Sequence, residues 1–188
     1  MAELKAKVTL GKKGDEAYIP IHKLIVTLHW TANVDLDLMA FYKTNDGRTG
    51  AVLSANYPGG NQGNLSGFPY IKLSQDAGVG ARGGDNQEEL GISKLDEMAE
   101  VYICTLNYTD ASARKDSSFS DYDGGVVVRD DRGESVAIPL DATEKGHIAI
   151  IAKIDNTSPI GAKLINENRI VSLGKFASTI PGAENLLG

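Results

Sequence analysis

Short runs of β-branched and aromatic residues, cut by turn signals, constrain this chain more than any other feature. Residues 23–31 read Lys-Leu-Ile-Val-Thr-Leu-His-Trp-Thr, and residues 100–109 read Glu-Val-Tyr-Ile-Cys-Thr-Leu-Asn-Tyr-Thr. Residues 146–155, Gly-His-Ile-Ala-Ile-Ile-Ala-Lys-Ile-Asp, form the most apolar run and are expected as a central strand. Such side chains fit a pleated, half-buried surface, and the runs are too short for typical amphipathic helices. Asn45-Asp46-Gly47 and Asp130-Asp131-Arg132-Gly133 supply the backbone reversals of two expected hairpins. Further strands are expected at 34–43, 48–53, 70–73, 89–93, 125–129 and 135–140, and one or two more within 163–173. Residues 5–10 and 17–21 flank a Gly-rich turn and read as a hairpin. The pattern is all-β and predicts a β-sandwich or barrel.

With 188 residues the chain is long enough for one domain with a full core. That domain is expected over 1–173, and residues 174–188 form a weakly patterned tail that either docks or stays mobile. The net charge of −6 argues against nucleic acid as a partner, because phosphate contact requires clustered Lys and Arg. Cys104 is the one cysteine, so neither an internal disulfide nor a thiolate metal site is available. The N-terminus, Met-Ala-Glu-Leu-Lys-Ala-Lys, has no apolar leader core, and no apolar run reaches the length of a membrane span. A cytoplasmic location is expected.

Two stretches carry candidate chemistry. Residues 34–41 alternate strictly, placing Asp35 and Asp37 on one face of a strand with carboxylates about 7 Å apart or less. Residues 74–91 are rich in glycine and carry Asp76, Asp85, Asn86, Gln87, Glu88 and Glu89. Nine of the 21 glycines fall between positions 54 and 91, so one end of the domain is expected to be built from loops. A pliable backbone loaded with oxygen donors suits a hard divalent cation, with Ca²⁺ the best fit, and the absence of His and Cys from this set disfavours Zn²⁺ and Cu²⁺. The ordinary alternative for Asp35 and Asp37 is a solvated strand face.

Other signatures fail on inspection. Gly78-Val79-Gly80-Ala81-Arg82-Gly83 matches a dinucleotide-binding spacing, but Gly84-Asp85-Asn86 follows where a helix should open. Gly174-Lys175 is followed by Phe176, so there is no phosphate-binding loop of the Walker type. Asn33, Asp35 and Asp37 fit the first half of an EF-hand loop, yet Leu38 stands where that loop requires glycine. His22, His29 and His147 lie far apart with no signature joining them to a nucleophile.

The segment Asp35-Leu36-Asp37-Leu38-Met39-Ala40-Phe41 resembles the Asp-Leu-Asp strand of the TerD-like tellurium-resistance and stress-response family. Residues 75–87 align without a gap on that family's acidic loop and keep Asp76, Gly80, Gly84 and Asp85. Asn56 falls near the family's Asn-containing segment. The resemblance covers about residues 8–155 and implies a β-sandwich of two mainly antiparallel sheets with long acidic loops at one end. It further implies a non-enzymatic, cytoplasmic Ca²⁺-binding module with protein partners in a stress-resistance complex, including one at a membrane. The implied ligand set is Asp35, Asp37, Asn56, Asp76, Asp85, Asn86, Glu88 and Glu89. Ala77, Ala81, Gly83, Asn86 and Gln87 depart from the family's donors, which implies weaker or single-ion binding and a divergent branch near the TerA-like members. Two other function classes remain open at this point. One is a metal-dependent hydrolase using the same carboxylates; the other is a small-ligand or nucleotide-binding sandwich shaped by the Gly-rich segment 59–67.

Overall fold

The β-rich runs pair into two sheets that face each other across an apolar core. A computed structural model describes residues 6–74 and 86–187. The chain opens with β1 (Lys7–Thr9), β2 (Glu16–Ile19) and β3 (His22–Trp30). Next come β4 (Leu36–Thr44), β5 (Thr49–Val52), β6 (Gly63–Asn64) and β7 (Ile71–Leu73). β8 (Asn86–Lys94) and β9 (Met98–Asn107) lead to a short helix, α1 (Tyr108–Ser112). β10 (Gly124–Arg129), β11 (Ser135–Leu140), β12 (Ile148–Asp155) and β13 (Ala162–Val171) complete the strands. Two short helices, α2 (Leu173–Thr179) and α3 (Glu184–Leu187), close the chain.

The first sheet runs in the order β1-β11-β10-β3-β8-β7-β6, the second β2-β13-β12-β9-β4-β5. Pairing is antiparallel except between β1 and β11. The fold is a β-sandwich. Between the sheets lie Val26 and Leu28 of β3, Leu36, Leu38 and Ala40 of β4, Leu90 of β8, Ile103 of β9 and Val126 of β10, all fully buried. Each large aliphatic side chain withdrawn in this way contributes about 1.5–3 kcal/mol.

A second apolar cluster sits on the outer face of the β4–β9–β12 sheet. Met39, Phe41, Cys104, Leu106, Ile148 and Ile150 pack there against Phe176, Ile180, Ala183 and Leu186 of the C-terminal segment. Phe176 meets Phe41 edge-on, with ring centroids 4.9 Å apart. This cover explains why residues 146–155 read as almost continuously apolar. β12 is buried on both faces, and a bulge between Ile150 and Ala152 turns both Ile151 and Ala152 inward. The tail that sequence left open is therefore docked.

Two local expectations are corrected and a third is narrowed. Residues 5–10 and 17–21 do not form a hairpin, because β1 pairs with β11 in one sheet and β2 with β13 in the other. The strand expected at 89–93 begins at Asn86, since the end of β3 pairs with it as far as Trp30↔Asn86. Of the one or two strands expected within 163–173 there is one, β13, and it runs through Asn166 and Asn168. Asn168 takes a left-handed backbone (φ 41°), which asparagine tolerates better than most residues.

Candidate carboxylate site

β3 ends, β4 begins, β8 begins and β9 ends at the same end of the sandwich, where Trp30 pairs with Asn86 and Leu36 with Asn107. Glu88 lies on β8 two residues before Leu90, so the two-residue period of a strand aims it inward. It is only 5% exposed. β5 accompanies β4 from Lys43↔Thr49 to Ala40↔Val52 and then ends. Beyond that point the Leu38 amide donates to Glu88 Oε2 at 2.7 Å. A carboxylate from one sheet thus takes the place of a strand partner on the other.

Asp37 occupies the opposite face of β4 from Leu36 and Leu38, in line with Met39 and Phe41, and is 7% exposed. The Tyr57 hydroxyl donates to its Oδ2, and Thr105 Oγ1 donates to its backbone carbonyl at 2.9 Å. Asp35 is half-buried just before the strand, and its carbonyl accepts from the Tyr108 amide at 3.0 Å. The rings of Tyr57 and Tyr108 meet edge-on at 6.3 Å. Burial pushes the Tyr57 hydroxyl far above the ordinary phenol range; the charge of Asp37, its hydrogen bond, and the charges of Asp35 and Glu88 push it further. Asp37 of β4 and Glu88 of β8 are thus buried acids in facing sheets, each held by a hydrogen bond. Burying an ionised carboxylate is costly unless it is paired and hydrogen-bonded.

The structure sorts the remaining sequence candidates. Asn86 shares the face of Glu88, and its Nδ2 donates to the Ala32 carbonyl at 3.2 Å. Asp35, Asp37, Asn86 and Glu88 each take part in further interactions. Glu89 alternates to the opposite face, and its carbonyl accepts from the amide and hydroxyl of Ser74 at 2.9 and 2.6 Å. Asn56 is exposed, with its backbone amide donating to Ser54 Oγ at 3.2 Å. Asp76 and Asp85 lie outside the described residues. Among the described residues, no group of three or more His, Cys, Asp or Glu is placed to hold a metal ion.

Two neighbouring features are structural. Asn107, Asp110, Ser117 and Tyr122 form a closed network, in which Asn107 Nδ2 donates to the Tyr122 hydroxyl at 2.8 Å and Ser117 Oγ donates to Asp110 Oδ2 at 2.8 Å. The Gly-rich segment 59–67 is shaped by packing: a Cβ at Gly59 would collide with the Asn185 carbonyl, and one at Gly63 with the Ile71 carbonyl. Cavities elsewhere, one lined by Val8, Tyr18 and Val136 and another by Ile25, Leu65 and Gly91, include none of the carboxylates in the cluster. Sequence reasoning missed Tyr57. A single tyrosine between an Asn and a Pro in a loop carries no signal of its own; only the fold brings it to Asp37.

No protein-family model and no curated protein matches the chain. Solved structures share its fold. The crystal structure of a homologue of telluride resistance protein (TerD) from Streptomyces coelicolor A3(2) superposes with a TM-score of 0.57 at 18% identity, covering 78% of this chain and 88% of that one. The crystal structure of a protein of unknown function, SAV2460, gives a TM-score of 0.57 at 14% identity over 84% of this chain and 95% of that one. The chain has a TerD-like fold.

Proposed function

We propose that the carboxylate end binds Ca²⁺, and that the protein acts by binding, without catalysis, in a tellurium-resistance or stress-response system. The observation that carries this reading is that Asp37 and Glu88, from opposite sheets, are both buried at the end where β4 and β8 begin, Asp37 bonded to Tyr57 and Glu88 to the Leu38 amide. The donor chemistry fits: the carboxylates are hard oxygen ligands, and neither His nor Cys stands among them. Ca²⁺ takes six to eight oxygens at about 2.3–2.6 Å, so Asp35, Asp37 and Glu88 require help. The proposed further donors are Asp76, Asp85 and the Asn86 amide, on the connection that leaves β7 at Ser74 and re-enters at β8. The bound ion supplies positive charge that offsets the repulsion among the acids.

The chain's own part is orientation. The Leu38 amide fixes Glu88 through Oε2, and the Tyr57 hydroxyl fixes Asp37 through Oδ2. Holding the acids in place before the ion arrives reduces the ordering cost of binding. A cytoplasmic setting and protein partners in a stress-resistance complex, including one at a membrane, belong to the same proposal. Among the described residues no helix is long and apolar enough to cross a membrane. No observation favours the hydrolase or nucleotide-binding readings over this one.

Calorimetric titration of chelator-treated protein with CaCl₂ tests the proposal. Saturable heat is expected, together with a rise in melting temperature. At Ca²⁺ a hundredfold above Kd, linkage gives about 2.7 kcal/mol, or a rise of about 5–10 °C. Asp37→Asn should abolish both. Absence of heat and of any thermal shift at millimolar Ca²⁺ overturns the reading.

A further inference from the structure

The C-terminal segment is joined to the sandwich differently from every strand. Phe176, Ile180, Ala183 and Leu186 are buried against the outer face of the β4–β9–β12 sheet. The backbone bonds of the segment close upon itself: Phe176 N to Ser172 O, Ile180 N to Phe176 O, Ala183 N to Ile180 O, and Leu186 N to Ala183 O. Among the described residues, its hydrogen bonds to the sandwich are Leu173 N to His147 Nδ1 at 3.1 Å and Thr49 Oγ1 to Glu184 Oε1 at 3.5 Å. It is a cover held by apolar side chains, able to lift without breaking a sheet ladder.

Tyr57 lies between Asp37 and the apolar cluster that the cover completes. Its hydroxyl donates to Asp37, and its ring packs on the apolar cluster shared by the outer face of the sheet and the cover. Two residues on, Gly59 lies so near Asn185 of α3 that no side chain would fit between them. Asp37 itself shares the outer face of β4 with Met39 and Phe41, which the cover buries. We propose that Tyr57 couples the carboxylate end to the C-terminal cover, so that an intact Tyr57–Asp37 bond seats residues 173–187 and its loss loosens them. The calcium-dependent part of this inference rests on the preceding reading, since an ion on Asp37 would steady the same bond.

Cys104 provides the readout. It is the one cysteine, it is fully buried, and it lies beneath the cover on the outer face of β9. Its reaction with a thiol reagent such as Ellman's reagent, in native full-length protein at fixed pH, reports how often the cover lifts. Phe176→Ala calibrates the assay and should accelerate labelling. Tyr57→Phe is expected to accelerate it about tenfold, the equivalent of one hydrogen bond to a charged group. Rates that stay nearly independent of low urea concentrations mark local opening. Labelling of Tyr57→Phe at the wild-type rate overturns the coupling, as does a urea dependence equal to that of global unfolding or no acceleration in Phe176→Ala. Ca²⁺ should slow labelling of the wild type about fivefold or more and leave Tyr57→Phe unaffected. Calorimetric Ca²⁺ binding with unchanged labelling overturns the calcium-dependent part. No calorimetric binding at all overturns the proposed function instead, and the Tyr57→Phe comparison still decides the structural coupling.

Discussion

Two regions of this sandwich bury polar side chains, and they do so with different chemistry. On β13, Asn166 is 1% exposed and Asn168 is 6% exposed. Asn166 Nδ2 donates to the Leu10 carbonyl at 2.8 Å; Asn168 Nδ2 donates to the Pro139 carbonyl at 2.6 Å, and its Oδ1 accepts from the Ala142 amide at 3.1 Å. These neutral amides tie Leu10, just past β1, and the end of β11 to the opposite sheet. At the other region Asp37 and Glu88 are buried to a similar depth, but as acids. Glu88 accepts from the Leu38 amide, a task that a glutamine carbonyl could perform without the cost of burying a charge. The asparagines show that this fold staples its sheets with neutral groups. In the proposed function, the charge at Glu88 and Asp37 serves a use beyond stapling, that of holding a cation.

Charging the neutral region gives the largest effect. Asn168→Asp keeps a residue that tolerates the left-handed backbone but sets a carboxylate against the Pro139 carbonyl. It should cost about 3 kcal/mol or more at neutral pH by urea unfolding. Burial raises the folded pKa of the introduced acid, so the penalty should shrink as pH falls below that pKa and the protonated carboxyl donates to Pro139. A variant as stable as the parent at pH 7 would erase the contrast between the regions. Tyr57→Phe comes next. It removes a hydrogen bond to a buried carboxylate and should cost about 1.5–3 kcal/mol by the same measurement, a loss that adding Ca²⁺ does not restore in full. The smallest change is expected from Glu88→Gln. Glutamine retains an acceptor for Leu38 and relieves repulsion, so stability in chelator should stay within about 1 kcal/mol of the parent or rise. The thermal response to Ca²⁺ should nevertheless disappear. A large loss of stability in chelator would make Glu88 a structural acid like any other buried, satisfied group.

Much of the fold is legible where turn chemistry and strand pattern agree. Asn45-Asp46-Gly47 closes β4 onto β5, and residues 130–133 close β10 onto β11, because each hairpin pairs with its sequence neighbour. β1 and β2 also look like neighbours, but their partners β11 and β13 lie far along the chain and no local signal names them. The docked tail was ambiguous for the same reason: Phe176, Ile180, Ala183 and Leu186 are spaced for one face, yet Pro181 and Gly182 break the helix between them. At the candidate site, alternation along β4 sets Asp37 on the face of Met39 and Phe41, away from Leu36 and Leu38, while Asp35 lies just before the strand. Glu88 and Glu89 looked equivalent as loop acids. Strand pairing with β3 separates them, sending Glu88 into the interior and Glu89 to the other face. Tyr57 reaches Asp37 from 20 residues away across a loop, a contact that no spacing rule encodes.

The amide of Leu38 offers the most direct test, because its hydrogen is held by the Glu88 carboxylate itself. Its ¹H–¹⁵N chemical shift should be followed by NMR as Ca²⁺ is added to chelator-treated protein. If the carboxylate end is a cation site, the Leu38 signal moves saturably, tracks the calorimetric binding curve, and stays still in Glu88→Gln. A Leu38 signal that does not move through millimolar Ca²⁺, or that moves equally in Glu88→Gln, contradicts the account.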